Sequence, residues 1–227
     1  MDEQRAAMAK DPSYVAERSI YVVIKDGEQE ACIILALWAL AIIGYKGVQA
    51  RRERALLARH LVHVPEGMRI LPEDAREYAR PIEALPAAEA ACLLPRALLV
   101  SLYRFAATRN VQDVSEAGRD VCEAESERLD SELSMLRYIA WAIPAIGFIG
   151  TVRGIGDALG EAHKAVTGDV SGVTAGLGTA FNSTLIALLI SIVIMFLLHR
   201  LQLTQERLVL DGETYLDQYL IRHMQVR

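Results

Sequence analysis

The chain has 227 residues, of which 52% are hydrophobic, and it carries a net charge of -5 with acidic and basic residues intermixed. That charge argues against the basic surface that nucleic-acid binding requires, so we expect no nucleic-acid partner. The three cysteines, Cys32, Cys92 and Cys122, have neither metal-ligand nor disulfide spacing.

The apolar residues are concentrated in three blocks, and the first follows a polar N-terminal segment. Residues 1–30 contain an amphipathic pattern after Pro12, which predicts a helix lying on the external, periplasmic surface of a membrane. A helix that binds a partner protein is the alternative. The uncharged run ACIILALWALAIIGY, with Lys46 able to reach the interface, predicts a first transmembrane helix over residues 31–48.

Residues 49–135 are predicted to form a cytoplasmic helical domain. Prolines divide its first half into short helices and turns, and the apolar patch at 97–103 is too short to cross a bilayer. From Val111 the pattern predicts one long helix that runs into the second span. Its acidic residues form a stripe that either lines a vestibule attracting cations or is a solvated helix face: Glu116, Asp120, Glu123, Glu127 and Asp130.

Two further apolar runs predict a membrane hairpin. The second transmembrane helix is expected over residues 136–157, a periplasmic loop over 158–172, and the third transmembrane helix over 173–199. No charged residue occurs between Asp169 and His199, and as a helix this stretch is roughly 43 Å long against a hydrocarbon core of roughly 30 Å. Residues 200–227 are expected to continue as a cytoplasmic C-terminal helix.

Basic residues near the ends of the spans predict the orientation. They follow the first and third spans, so the positive-inside rule places the N-terminus outside and the C-terminus in the cytoplasm. Arg153 is the exception on the external side, and Asp157, one turn later, is its predicted partner. The sequence thus predicts an all-α integral membrane protein with three transmembrane helices, two of them extended into a helical cytoplasmic domain.

Small residues recur on both helices of the hairpin at spacings of three and four. Such rows let two helices approach closely in lipid, and a proline in the second span is expected to bend it. The helix-packing candidates are Pro144, Gly147, Gly150, Gly154, Gly176, Ala180 and Ala187. Polar residues share these spans, namely Thr151, Thr179, Asn182, Ser183 and Thr184. An amide such as that of Asn182 usually faces a bundle interior or water.

The two runs IPAIGFIGTVRGIGDAL and VTAGLGTAFNSTLIALLISI resemble the pore helices of the MotA/TolQ/ExbB proton channel family. The three-span topology is similar to the branch of that family that energises the outer membrane. The resemblance implies a homopentamer in the bacterial inner membrane. The pentamer would surround a dimer of an ExbD/TolR/MotB-like single-span subunit that carries a membrane aspartate.

The resemblance also implies residue roles. It places the family's pore-lining threonines at Thr151 and Thr184, with Thr179, Asn182 and Ser183 as further ion-pathway candidates. The energising branch has a glutamate five residues before the second threonine, where this chain has Thr179. No carboxylate occurs in residues 138–152 or 170–198, so we expect the ion-binding carboxylate to come from the partner.

The leading functional prediction is the pore-forming subunit of an ion-driven, two-component motor. Protons are the favoured ion because of the topological match. A sodium-driven, stator-like subunit is the alternative that the two threonine hydroxyls leave open, and a passive membrane scaffold and a sensor are others. No enzyme signature occurs. The spacing of His60 and His63, three residues apart, would place both imidazoles on one face of a helix, but they lack a third ligand, so no metal site or cofactor is expected.

Overall fold

The computed structural model describes residues 27–65 and 68–226, and these contain helices but no strand. The α-helices are α1 (Gly27–Leu57), α2 (Ala75–Glu83), α3 (Ala87–Ala90), α4 (Leu93–Thr108), α5 (Val111–Gly160), α6 (Ala162–Ala165) and α7 (Ser171–Tyr215). A π-helical turn, Leu216–Leu220, and a 3-10 turn, Ile221–His223, follow α7. The predicted amphipathic helix after Pro12 lies outside the described residues.

Three helices within the described ranges, α1, α5 and the helix that begins at Ser171, are long and apolar enough to cross a membrane. The predicted fold class, an all-α membrane protein with three spans, is therefore confirmed. The 50 residues of α5 stay helical through Pro144, and α7 stays helical through Gly212. The apolar patch 97–103 belongs to α4, whose buried residues include Leu98 and Leu102.

The structure divides into two compact units. The first comprises the described residues 27–39 together with 138–194, and it contains parts of α1, α5 and α7. Its internal contacts are made largely by small residues, because Ala36, Ala39, Ala180 and Ala187 are buried. Large apolar side chains on the same helices point outward, and Trp141, Phe148 and Phe181 are 70%, 64% and 69% exposed. Such a distribution suits a helix group surrounded by lipid or by further helices.

The second unit comprises residues 40–137 and 195–226 of the described chain. Its hydrophobic core is built around α4, with Leu98, Leu102 and Phe105 fully buried. The C-terminal turns add Leu216 and Leu220 to this core. After them the chain pairs in parallel with the segment around Ile70, whose N–H donates to the His223 carbonyl at 2.8 Å and whose carbonyl accepts from the Gln225 N–H at 3.1 Å.

Two details differ from the sequence expectation. Because α1 ends at Leu57, His60 and His63 do not share a helix face; the His60 ring instead packs against Tyr219, with ring centroids 5.2 Å apart. Within the described ranges no group of three or more potential metal ligands occurs. Arg153, predicted to pair one turn along its own helix, forms an ion pair with Glu28 of α1 at 2.8 Å.

Candidate functional site

The candidate site lies where α5 and α7 approach most closely. A Cβ placed at Gly154 would lie 2.7 Å from the backbone nitrogen of Ala180 and 2.7 Å from the carbonyl oxygen of Gly176. A Cβ at Gly176 would lie equally near the nitrogen of Ala158. Both distances are shorter than any real Cβ contact allows, so the two backbones touch only because these residues are glycines.

The rest of the small-residue row continues this contact. Gly147 lies against Ala187, and a Cβ at Gly150 would lie 2.7 Å from the Cβ of Ser183. Farther along, the Ser191 hydroxyl donates to the carbonyl of Ala140 at 3.1 Å. The helices thus meet residue by residue along a stripe of glycine, alanine and serine. Pro144, in the same stretch of α5, is half-buried.

Thr151 and Thr184 come together across this contact. Their hydroxyl groups are within hydrogen-bonding distance of each other. The Thr184 hydroxyl also donates to the Gly147 carbonyl at 3.1 Å. The Thr151 hydroxyl lies 3.2 Å from the Ala180 carbonyl and 3.3 Å from that of Gly147. Two hydroxyl hydrogens therefore serve a larger number of oxygen acceptors, and rotation of either hydroxyl can redistribute the hydrogen bonds.

The other polar candidates are not part of this pair. Ser183 donates to the carbonyl of Thr179 at 2.9 Å, which is a bond within its own helix. The Thr179 and Asn182 side chains are half-buried. Neither side chain forms a hydrogen bond within the described part of the chain, so both keep hydrogen-bonding groups that water or another molecule can satisfy.

The structure adds a charged pair that sequence reasoning missed. The Glu28 carboxylate on α1 pairs with Arg153. The Cγ atom of Glu28 lies 3.6 Å from the position that a Cβ of Gly150 would occupy. Glu28 is one helical turn before Cys32, whose thiol donates to the Ile143 carbonyl at 3.6 Å. Extending the helical period of the first span backwards by one turn from Cys32 would have predicted that Glu28 faces the same neighbour.

Comparison with known proteins addresses the same region. The model of the MotA/TolQ/ExbB proton channel family matches residues 93–214, which is more than half of the chain and includes both α5 and most of α7. No curated protein matches the sequence. The matched range contains the glycine row and the Thr151–Thr184 contact, the features on which the sequence resemblance rests. The chain belongs to the MotA/TolQ/ExbB proton channel family.

Proposed function

We propose that this chain is the pore-forming subunit of a proton-driven, two-component motor of the bacterial inner membrane. The observation that carries the proposal is the Thr151–Thr184 contact, a rotatable pair of hydroxyls between the membrane-spanning parts of α5 and α7. The family match over residues 93–214 supports an ion-channel role. Packing alone does not require two threonines at a position where alanines would allow an equally close approach.

The chain needs a partner to complete this function. A proton path requires a group that binds and releases the ion within the membrane, usually a carboxylate, and α5 and α7 contain none in residues 138–152 or 170–198. We infer that a membrane aspartate on a single-span subunit supplies it, next to Thr151 and Thr184. A pentamer of this chain around a dimer of that subunit would place the threonines around the partner helices.

The membrane potential supplies the energy for the proposed work. A unit charge that crosses the bilayer releases roughly 2.3 kcal/mol per 100 mV, which is enough over several steps to drive rotation or conformational cycling.

In the proposed orientation the N-terminus is periplasmic, and residues 49–135 and 200–227 are cytoplasmic. The exposed acidic residues of α5, Glu116 and Asp120 among them, would then face cytoplasmic water.

The test first asks whether a neighbouring gene encodes a single-span protein with a membrane aspartate, and then measures proton flux in liposomes that contain the complex of the two chains. We expect Thr184→Val to reduce flux at least tenfold, because it removes a hydroxyl at nearly unchanged volume. Thr174→Val is the matched control, since Thr174 is an exposed threonine of α7 whose hydroxyl, within the described residues, donates only to the nearby carbonyls of Val170 and Ser171. Native mass spectrometry, expected to show pentamers, reports assembly for every variant.

Three outcomes would favour other functions. Flux unchanged by Thr184→Val in an intact assembly would favour the passive scaffold. Sodium flux that rises with external sodium at constant membrane potential, and that persists when a protonophore removes the proton gradient, would favour the sodium-driven alternative. A stable monomer or dimer with no single-span partner would favour a sensor.

A further inference from the structure

An ion pair lies against the glycine row of the first unit. The Glu28 carboxylate contacts the Arg153 guanidinium at 2.8 Å, and its side chain is only 15% exposed. Glu28 comes from α1, whereas Arg153 is two residues beyond Thr151 on α5. A Cβ at Gly150 of α5 would lie close both to the Cβ of Ser183 on α7 and to the Cγ of Glu28. Glu28 therefore sits where all three membrane helices meet.

This junction lies near the predicted external interface of the membrane. Arg153 precedes the predicted end of the second span, residue 157, by four residues, which corresponds to roughly 6 Å of helix, and Glu28 comes shortly before the predicted start of the first span, residue 31. Charged groups in or near the bilayer are uncommon in such helices, and they occur mainly where they pair or serve an ion pathway. A charged pair that begins two residues from Thr151 therefore calls for a functional explanation.

The next residue of α1 is a second buried polar side chain. Gln29, the next residue, is 1% exposed, and neither atom of its amide group forms a hydrogen bond within the described residues. A buried amide without partners is unfavourable in an apolar environment. Glu28 and Gln29 together place a carboxylate and an unsatisfied amide on one turn of α1, and the carboxylate is the one that contacts α5.

We propose that Glu28 is a specificity residue of the ion path: its carboxylate offsets the charge of Arg153, so that the path beside Thr151 and Thr184 accepts a cation. This inference rests on the proposed function and deepens it. Thr151 and Arg153 are two residues apart on one helix, and we take about 10 Å, the diameter of a helix with its side chains, as the separation between the Arg153 charge and an ion beside Thr151. At that distance and an effective dielectric constant of about 20, one added positive charge lowers the occupancy of a cation roughly tenfold.

The experiment measures proton flux of the same reconstituted complex with four variants. Glu28→Gln raises the net charge of the junction by one and is expected to lower flux roughly tenfold. The double variant, Glu28→Gln with Arg153→Gln, returns the net charge to its original value and is expected to restore flux to about half of the wild-type value or more. Arg153→Gln alone is expected not to lower flux. Glu30→Gln, an exposed position of the same helix, is the control and is expected to leave flux unchanged.

The double variant separates an electrostatic role from a structural one. If the ion pair served only to hold α1 against α5, removing both partners would be at least as damaging as removing one. A double variant no better than Glu28→Gln would therefore overturn the proposal, as would wild-type flux in an assembled Glu28→Gln complex. Reduced flux in Arg153→Gln would overturn it as well.

Assembly is checked for each variant by native mass spectrometry. If Glu28→Gln does not assemble, the charge-swapped variant, Glu28→Arg with Arg153→Glu, replaces it, because the swap keeps both the ion pair and the net charge. We expect the swap to conduct, and an assembled swap without flux would contradict the proposal. Absence of flux in the wild-type complex would refute the proposed function itself, whereas wild-type flux that Glu28→Gln leaves unchanged would refute only the role of Glu28.

Discussion

The guanidinium group of Arg96 donates to the buried carboxylate of Glu125 at 2.6 Å. A second guanidinium, that of Arg128, donates to the other oxygen of the same carboxylate at 2.5 Å. The Glu125 side chain is 2% exposed, whereas the two arginines keep 39% and 47% of their side chains in contact with solvent. One buried carboxylate thus connects α4 to α5 in the second unit.

Replacing Glu125 by Gln should destabilise the second unit. The substitution keeps the volume of the side chain but removes the charge that both arginines complement. Hydrogen bonds to charged groups contribute about 1.5–3 kcal/mol, and the partial exposure of the arginines lets water replace part of the loss. We expect a loss of about 2 kcal/mol, measured by denaturation of the protein in detergent.

The control for this prediction is Glu123→Gln, because Glu123 is an exposed acidic residue of the same helix. It should change the free energy of unfolding by no more than about 0.5 kcal/mol. Equal effects of the two substitutions would contradict the assignment of Glu125 as the residue that connects the helices.

Glu53 is a second buried carboxylate, and we expect its replacement by Gln to stabilise the protein rather than destabilise it. It is 6% exposed, and its Oε2 forms no hydrogen bond within the described residues. Burial raises the pKa of the Glu53 carboxyl, and this effect is larger than the lowering caused by the hydrogen bond from the Leu93 N–H. The negative charge of nearby Glu125 raises the pKa further. Glu53→Gln removes a charge that burial disfavours, so it should stabilise the protein by about 1 kcal/mol at pH 7.

The same shift predicts a dependence on pH. Above the ordinary pKa of 4.5, the unfolded chain releases the Glu53 proton while the folded protein still binds it. The contribution of this group to stability is therefore complete below pH 4.5 and decreases as the pH rises through the raised pKa of the folded state. Melting temperatures measured from pH 4 upwards should fall less steeply for Glu53→Gln than for the wild type. Parallel curves would show that Glu53 is not responsible.

Gly154→Ala tests the close approach of α5 and α7. The added methyl group would lie 2.7 Å from backbone atoms of α7, which cannot move aside as a flexible side chain can. We expect the helices to separate at a loss of about 1–3 kcal/mol, measured as a lower melting temperature of the protein in detergent.

Gly156→Ala is the matched control for this test. Gly156 lies two residues farther along α5, and a Cβ at that position meets nothing within 4 Å. Alanine has the higher helix propensity, so this substitution should be neutral or stabilising by up to about 1 kcal/mol. Destabilisation by Gly156→Ala in the isolated subunit would indicate that loss of glycine, rather than contact with α7, is responsible for the effect at Gly154.

The sequence by itself determined the three long apolar helices and the rows of small residues. Helix formation and membrane insertion depend on local composition, so an uncharged run between Asp169 and His199 is sufficient to predict a span. The spacing of Gly147, Gly150 and Gly154 likewise follows from the helical period. The acidic stripe of α5 is exposed throughout, from Glu116 to Asp130. Whether that stripe lines a vestibule, and whether Thr151 and Thr184 line a pore, stay predictions.

Only the tertiary structure decided which charges are paired and buried. Glu125 stands between Glu123 and Glu127 in the sequence and looks like them, yet it is buried because its face of α5 is covered within the second unit. Arg153 has an acid one turn away on its own helix, and the structure pairs it with Glu28, 125 positions earlier. Such pairings depend on which helix faces are in contact, and helical periodicity describes the faces of one helix without specifying which neighbour covers them.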